Sequence, residues 1–192
     1  METWEINGRT LEYDDDSHTY LVDGIIVQSV TQLLGRRFGH KYDGISTDVL
    51  RKAAERGTAI HKDIEEFCKG SEPSFEETRD FEFLKKKWKF DVEHNELPII
   101  LDFTGEIYAG RLDLILSFDG DLAVADIKTT STLDKEYLGH QLNLYRIGAE
   151  QSYGFNIRKL YGVHLKNGTR KLVEIPIKEA EWLEESLNIH AV

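Results

Sequence analysis

At 192 residues the chain has room for one well-packed domain rather than two. Its composition is 40% apolar and 31% charged, its apolar runs fall far short of the roughly 20 residues that span a bilayer, and it holds one cysteine, Cys68. These features exclude a membrane-spanning helix bundle, an internal disulfide and a cysteine zinc cluster, and a net charge of −11 argues against a pure nucleic-acid-binding module, which ordinarily carries a basic surplus.

The opening METWEINGRT lacks the basic flank and apolar core of a signal peptide, so a cytoplasmic location is expected. Residues 18–34, HTYLVDGIIVQSVTQLL, alternate and turn like a small hairpin with Asp23-Gly24 at its tip. Ser29 is placed to cap the short helix after it. The segment GRRFGHKYDG, 35–44, is basic, aromatic and bounded by glycines, and reads as a loop. From about 47 to 69 the pattern is helical, with Val49, Leu50, Ala53, Ile60, Ile64 and Phe67 as its apolar face, Gly57 denting or splitting it, and Cys68 packed as a small apolar side chain. A second helix is expected from Ser74, where SFEE has capping-box spacing with Glu77. Phe81, Leu84 and Trp88 recur along it, and Lys85, Lys86, Lys87 and Lys89 form a solvated face.

After Pro98 the period becomes that of strands. IILDFTGEIYAGRLDLILSFDGDLAVADIKT reads as three successive antiparallel strands, with Asp119-Gly120 the clearest turn. Residues 134–151 return to helix with Leu138, Leu142 and Tyr145 on one side; a hairpin around Asn167-Gly168 and an amphipathic helix from about 178 complete the chain. With no repeat, linker or low-complexity tract, the economical organisation is a single α/β (α+β) domain over 1–192, with an N-terminal hairpin and basic loop at 1–45 and the core at 46–192.

The strand DLAVADIKTTS, 121–131, ends with Asp126 and Lys128 two apart, hence on one face. Alone, they make an ordinary strand-end ion pair. If the turn sits at Asp119-Gly120, however, Asp113 of the preceding strand lies nearly opposite Asp126. Directly paired carboxylates repel unless a cation lies between them. A divalent ion there could take further oxygen from the Ile127 carbonyl while the Ile127 side chain enters the core. No Gly-rich phosphate loop with Lys-Ser/Thr and no Gly-x-Ser-x-Gly elbow is present, and Asp14–Asp16 lack the spacing of a calcium loop.

AGRLD followed by VADIKTT resembles the signature of the PD-(D/E)XK nuclease superfamily, in the form carried by RecB-type and phage exonucleases. RGTAIHKDIEEF is similar to the Gly-x-x-x-His helix of that branch, QLNLY to its Gln-x-x-x-Tyr helix, and YLVDGIIVQSVTQLL to the lead-in hairpin of its phage members. The resemblance runs from about 18 to 148 in the family's order; Leu112 stands where the signature has proline. It implies a restriction-endonuclease-like core, a central mixed sheet with a three-strand antiparallel meander flanked by helices. It implies that His61, Asp113, Asp126 and the Ile127 carbonyl bind Mg²⁺ or Mn²⁺. Lys128 would orient or deprotonate the attacking water, and Gln141 and Tyr145 would steady Lys128 and contact the DNA backbone. Glu65, four beyond His61, and Glu106, on the strand before Asp113, are left open as additional ligands or exposed acids.

Arg36, Arg37 and Lys41 in the basic–aromatic segment, with Arg56 beside the His61 helix, are expected phosphate contacts. The implied activity is that of a metal-dependent DNA exonuclease on single-stranded or free-ended DNA in phage-type recombination, replication or repair, in the host cytoplasm if phage-encoded. Proteins of those processes would be its partners, with no membrane and no small-molecule cofactor. The alternatives are a structure-selective or single-strand endonuclease, and a non-catalytic nucleic-acid-binding subunit of the same fold.

Overall fold

Asx-Gly pairs set most of the turns. In the computed structural model, which describes residues 1–39, 44 and 46–188, Asn7-Gly8, Asp23-Gly24, Asp119-Gly120 and Asn167-Gly168 each place two successive residues at positive φ, as a tight two-residue hairpin requires. Asn7-Gly8 joins β1 (Glu2–Ile6) to β2 (Arg9–Asp14), and Asp23-Gly24 joins β3 (Thr19–Val22) to β4 (Ile25–Ser29). The hairpin expected at 18–34 is thus the second half of a four-strand meander.

Ser29 caps α1 (Val30–Phe38) in a capping box. Its hydroxyl accepts from the Gln32 N–H (3.0 Å), and Gln32 Oε1 accepts from the Ser29 N–H (2.8 Å). Contrary to the loop expected from 35, α1 carries Arg36 and Arg37 on helix, because Leu33, Leu34 and Phe38 are buried at helical spacing. α2 (Thr47–Cys68) is unbroken at Gly57, and of its expected apolar face only Ile60 and Ile64 are fully buried, Val49 being 58% exposed. α3 (Glu76–Trp88) starts after Phe75, not at Ser74, and the Ser74–Glu77 box does not form. Asp63 of α2 takes its place, accepting from Ser74 N–H, Phe75 N–H and the Thr78 hydroxyl. Trp88, expected on the buried stripe with Phe81 and Leu84, is half exposed.

β5 (Asp91–Phe103), β6 (Glu106–Phe118) and β7 (Asp121–Lys128) form the expected antiparallel meander, β5 beginning seven residues before Pro98. Proline is tolerated inside it because β5 is an edge strand, bonded to β6 alone. α4 (Lys135–Tyr153), β8 (Ile157–Lys166), β9 (Thr169–Ile175) and α5 (Ala180–Leu187) complete the order. The described residues therefore form a nine-stranded mixed sheet with five helices, ordered β1-β2-β3-β4-β6-β7-β8-β9 with β5 against the other edge of β6; β4–β6 and β7–β8 run parallel. One core lies beneath α1, α4 and α5, a second beneath α2 and α3, and a smaller one beneath the N-terminal meander. No helix among the described residues is long and apolar enough to cross a membrane.

Two irregularities of β6 shape the middle of the sheet. Its second edge is shared: β4 pairs with Tyr108 and Ala109, β7 with Leu114 to Phe118, and Gly110–Asp113 between them bonds to neither. The sheet is notched there. In addition, residues two apart in a strand ordinarily face one side, yet Leu112 belongs to the core under α1 and α4 and Leu114 to that under α2 and α3. Opposite this step Glu96 adopts φ +47°, a left-handed conformation unusual for a residue with a side chain. The β5–β6 ribbon rolls over at Glu96 and Asp113.

Candidate metal centre

At the notch β7 parts from β6. The register that pairs Leu114 with Ala125 would set Asp113 opposite Asp126; instead the Asp113 carboxylate bridges the gap, its Oδ2 accepting the Ile127 N–H at 2.7 Å. Ile127 buries its side chain under α2. That leaves Asp126 and Lys128 together on the opposite face, the Lys128 ammonium 2.7 Å from Asp126 Oδ2. Lys128 donates to Gln141 Oε1 on α4 (2.9 Å) and lies over the Tyr137 ring.

His61 reaches the same point from α2. Its Nε2 lies 3.1 Å from the Ile127 carbonyl oxygen, an acceptor only, so the proton of the neutral ring belongs on Nε2. The Nδ1 lone pair then faces Asp113 Oδ2 at 3.6 Å and Glu96 Oε1 at 3.9 Å. A lone pair against two carboxylates is repulsive unless a proton or a metal cation lies between them. The ionisation of the group reflects that crowding. Burial and then the Asp113 charge push Asp126 up to about 6. Burial and Asp113 likewise push Glu96 up to about 7. Burial opposes the charge on His61, but Asp113, Asp126 and Glu96 together raise its pKa. Lys128 is also raised, burial being outweighed by Asp126 and Asp113.

Among the described residues, His61, Glu96 and Asp113 bring ligand atoms within 4.8 Å of one another. Asp126 stands outside that set, fully buried and engaged with Lys128, and the Ile127 carbonyl is shared with His61. Asp126 Oδ2 nonetheless has no partner in hydrogen-bond geometry.

Glu96 is a site residue that strand patterning misses. Its signal lies in Thr104-Gly105, another positive-φ pair, whose register carried back across Pro98 sets Glu96 against Asp113; reading Pro98 as a strand start hides it. Of the acids left open, Glu65 pairs with Lys69 on its own helix (2.6 Å), and Glu106 is exposed at the far end of β6.

Gln141 is placed to steady Lys128. Tyr145, one turn further along α4, packs on Gly110, where a Cβ would lie 2.9 Å from its Cε1. The expected phosphate contacts that are described each have partners within the chain. Arg36 donates to Gln28 on β4, Arg37 bonds Ser186 O and pairs with Glu136 (3.3 Å), and Arg56 pairs with the buried Glu77 (2.8 Å). Lys41 lies outside the described residues.

No family model matches the chain, and no curated protein does. Among solved structures it is similar to the crystal structure of SSO0001, at 19% identity over 85% of this chain and 75% of that one, with a TM-score of 0.50. At that identity the likeness concerns the fold alone.

Proposed function

We propose that the chain is a metal-dependent DNA nuclease with a restriction-endonuclease-like core of the PD-(D/E)XK type, acting as an exonuclease on single-stranded or free-ended DNA. The observation that carries this reading is the meeting of Asp113, Asp126 and Lys128 at the open end of β7, closed by His61 and Glu96. The donor set fits a hard divalent cation. It offers carboxylates, a carbonyl and one imidazole. Mg²⁺ or Mn²⁺ held by His61, Glu96 and Asp113, with Asp126 beside them, would supply Lewis acidity toward the phosphodiester.

The remaining chemistry belongs to the chain. Gln141 fixes the Lys128 ammonium and Asp126 pairs with it, so Lys128 is held where it can orient the attacking water and offset phosphate charge. Asp113 locks the splayed end of β7 through the Ile127 N–H and so sets the spacing of the acids.

The test uses 5′- and 3′-labelled linear single strands and a closed single-stranded circle, with Mg²⁺, Mn²⁺ or chelator. The expected result is metal-dependent loss of the linear strands with the circle intact. Cleavage of the circle would make the enzyme an endonuclease; binding in chelator with nothing cut in either metal would leave a non-catalytic strand-binding subunit.

A further inference from the structure

A cavity of about 400 Å³ opens onto the same notch, lined by Tyr13 and Tyr20 of the N-terminal meander, Ser29 and Gln32 at the start of α1, Arg111 of β6, and Tyr145 of α4. Its volume falls in the range of about 300–1,000 Å³ usual for small-ligand sites. Arg111 stands two residues before Asp113, and its charge acts on Glu96, so the cavity adjoins the acid cluster.

The Arg111 guanidinium is engaged within the wall, paired with Glu2 (3.0 Å) and flanked by the rings of Trp4 and Tyr13, each 5.2 Å away. What remains is aromatic carbon with hydroxyl and amide groups and the His18 imidazole. The Tyr13 hydroxyl bonds His18 Nδ1 (2.8 Å), and the Tyr13 and Tyr20 rings lie 4.6 Å apart, which fixes the wall. Gly110 has no side chain to hold Tyr145 off the floor. Acids next door disfavour an anion, while rings with polar edges suit a flat, uncharged heterocycle.

We propose that this cavity receives one unpaired nucleobase of a bound strand, seated beside the phosphodiester at the acid cluster. The inference rests on the nuclease reading and deepens it. A base within a duplex reaches such a cavity only by leaving its stack, so the cavity would select single strands.

The experiment measures binding of short fluorescein-labelled DNA strands by anisotropy, with Ca²⁺ replacing Mg²⁺, using an intact strand and a series carrying one abasic residue at each position in turn. One position is expected to lose about tenfold in affinity, as removal of a stacked base does. Tyr20→Ala should abolish that step and Tyr20→Phe should retain it. A flat series in the wild-type protein, or an unchanged step in Tyr20→Ala, overturns the proposal; the wild-type series decides alone if Tyr20→Ala does not fold. Cleavage together with a flat series removes the base cavity and leaves the nuclease reading. A clear step in a protein that cuts nothing does the reverse.

Discussion

Glu96, Asp126 and His61 bind protons more tightly in the folded chain than in the unfolded one: about 7 against an ordinary 4.5 for Glu96, about 6 against 3.8 for Asp126, and above 6.5 for His61. Where the native state holds the extra protons, stability falls as pH rises. Without divalent metal, the melting temperature should therefore rise as pH is lowered from about 8 to about 5 through these groups. Bound Mn²⁺ needs the ionised carboxylates and stabilises the native state by mass action. Its upward shift of the melting temperature should thus be large near pH 8 and vanish near pH 5; a shift independent of pH would place the ion elsewhere. Lys128→Ala leaves Asp126 buried without its cation, and should cut any DNA hydrolysis by about 10²- to 10⁴-fold while circular dichroism is retained. Asp126 and Lys128 were legible because strand period sets their common face, and Asp113 because one Asp-Gly turn fixes its register against them, although the ribbon rolls over at Asp113 itself. Glu96 was hidden because taking Pro98 as a strand start cuts it off from the Thr104-Gly105 register, and no two-residue period encodes its left-handed backbone.

Helix boundaries were legible where the capping groups are local, and obscure where they are not. Ser29 and Gln32 mark the start of α1 within four residues of sequence, whereas α3 is capped by Asp63 from a different helix, leaving the SFEE spacing a false lead. Asp63→Ala should destabilise the fold by about 1 kcal/mol in urea denaturation, the usual loss for a capping side chain, and Ser74→Ala should change it far less. Close approaches between elements are equally invisible in composition. Gly110→Ala would drive a methyl group into the Tyr145 ring, at an expected cost of about 1–3 kcal/mol. The same denaturation series, compared with Gly139→Ala on α4, where a Cβ would only reach ordinary contact with Ile175 at 3.9 Å, would show whether the cost comes from that contact.

Over the whole molecule, the sheet is unevenly tied. The N-terminal meander joins the rest of the sheet through two paired positions of β4 on β6, a small core and the Glu2–Arg111 pair, while β5 to β9 share long ladders and the two larger cores. Native-state hydrogen exchange should accordingly find the amides of β1–β3 opening at lower free energy than those of β6–β8; equal protection throughout would mean that the two parts unfold together. The central meander was legible in turn residues and alternation, whereas the mixed sheet was expected only from the family resemblance. The attachment of the first strands was not legible, since pairing between β4 and β6 spans some eighty positions of sequence and is specified by no local signal.

The roll of the β5–β6 ribbon also guards its alignment. In a regular amphipathic hairpin, slippage by one position exchanges inside for outside along the whole length. Here the halves on either side of Glu96 and Asp113 present opposite parities, so even a slide by two positions, harmless to a regular hairpin, carries residues across the step and turns them to the wrong face. Deletions or insertions near position 113 should thus scramble the packing on both faces at once, whereas added length at the Thr104-Gly105 bend, beyond the last rung, should pass almost unnoticed.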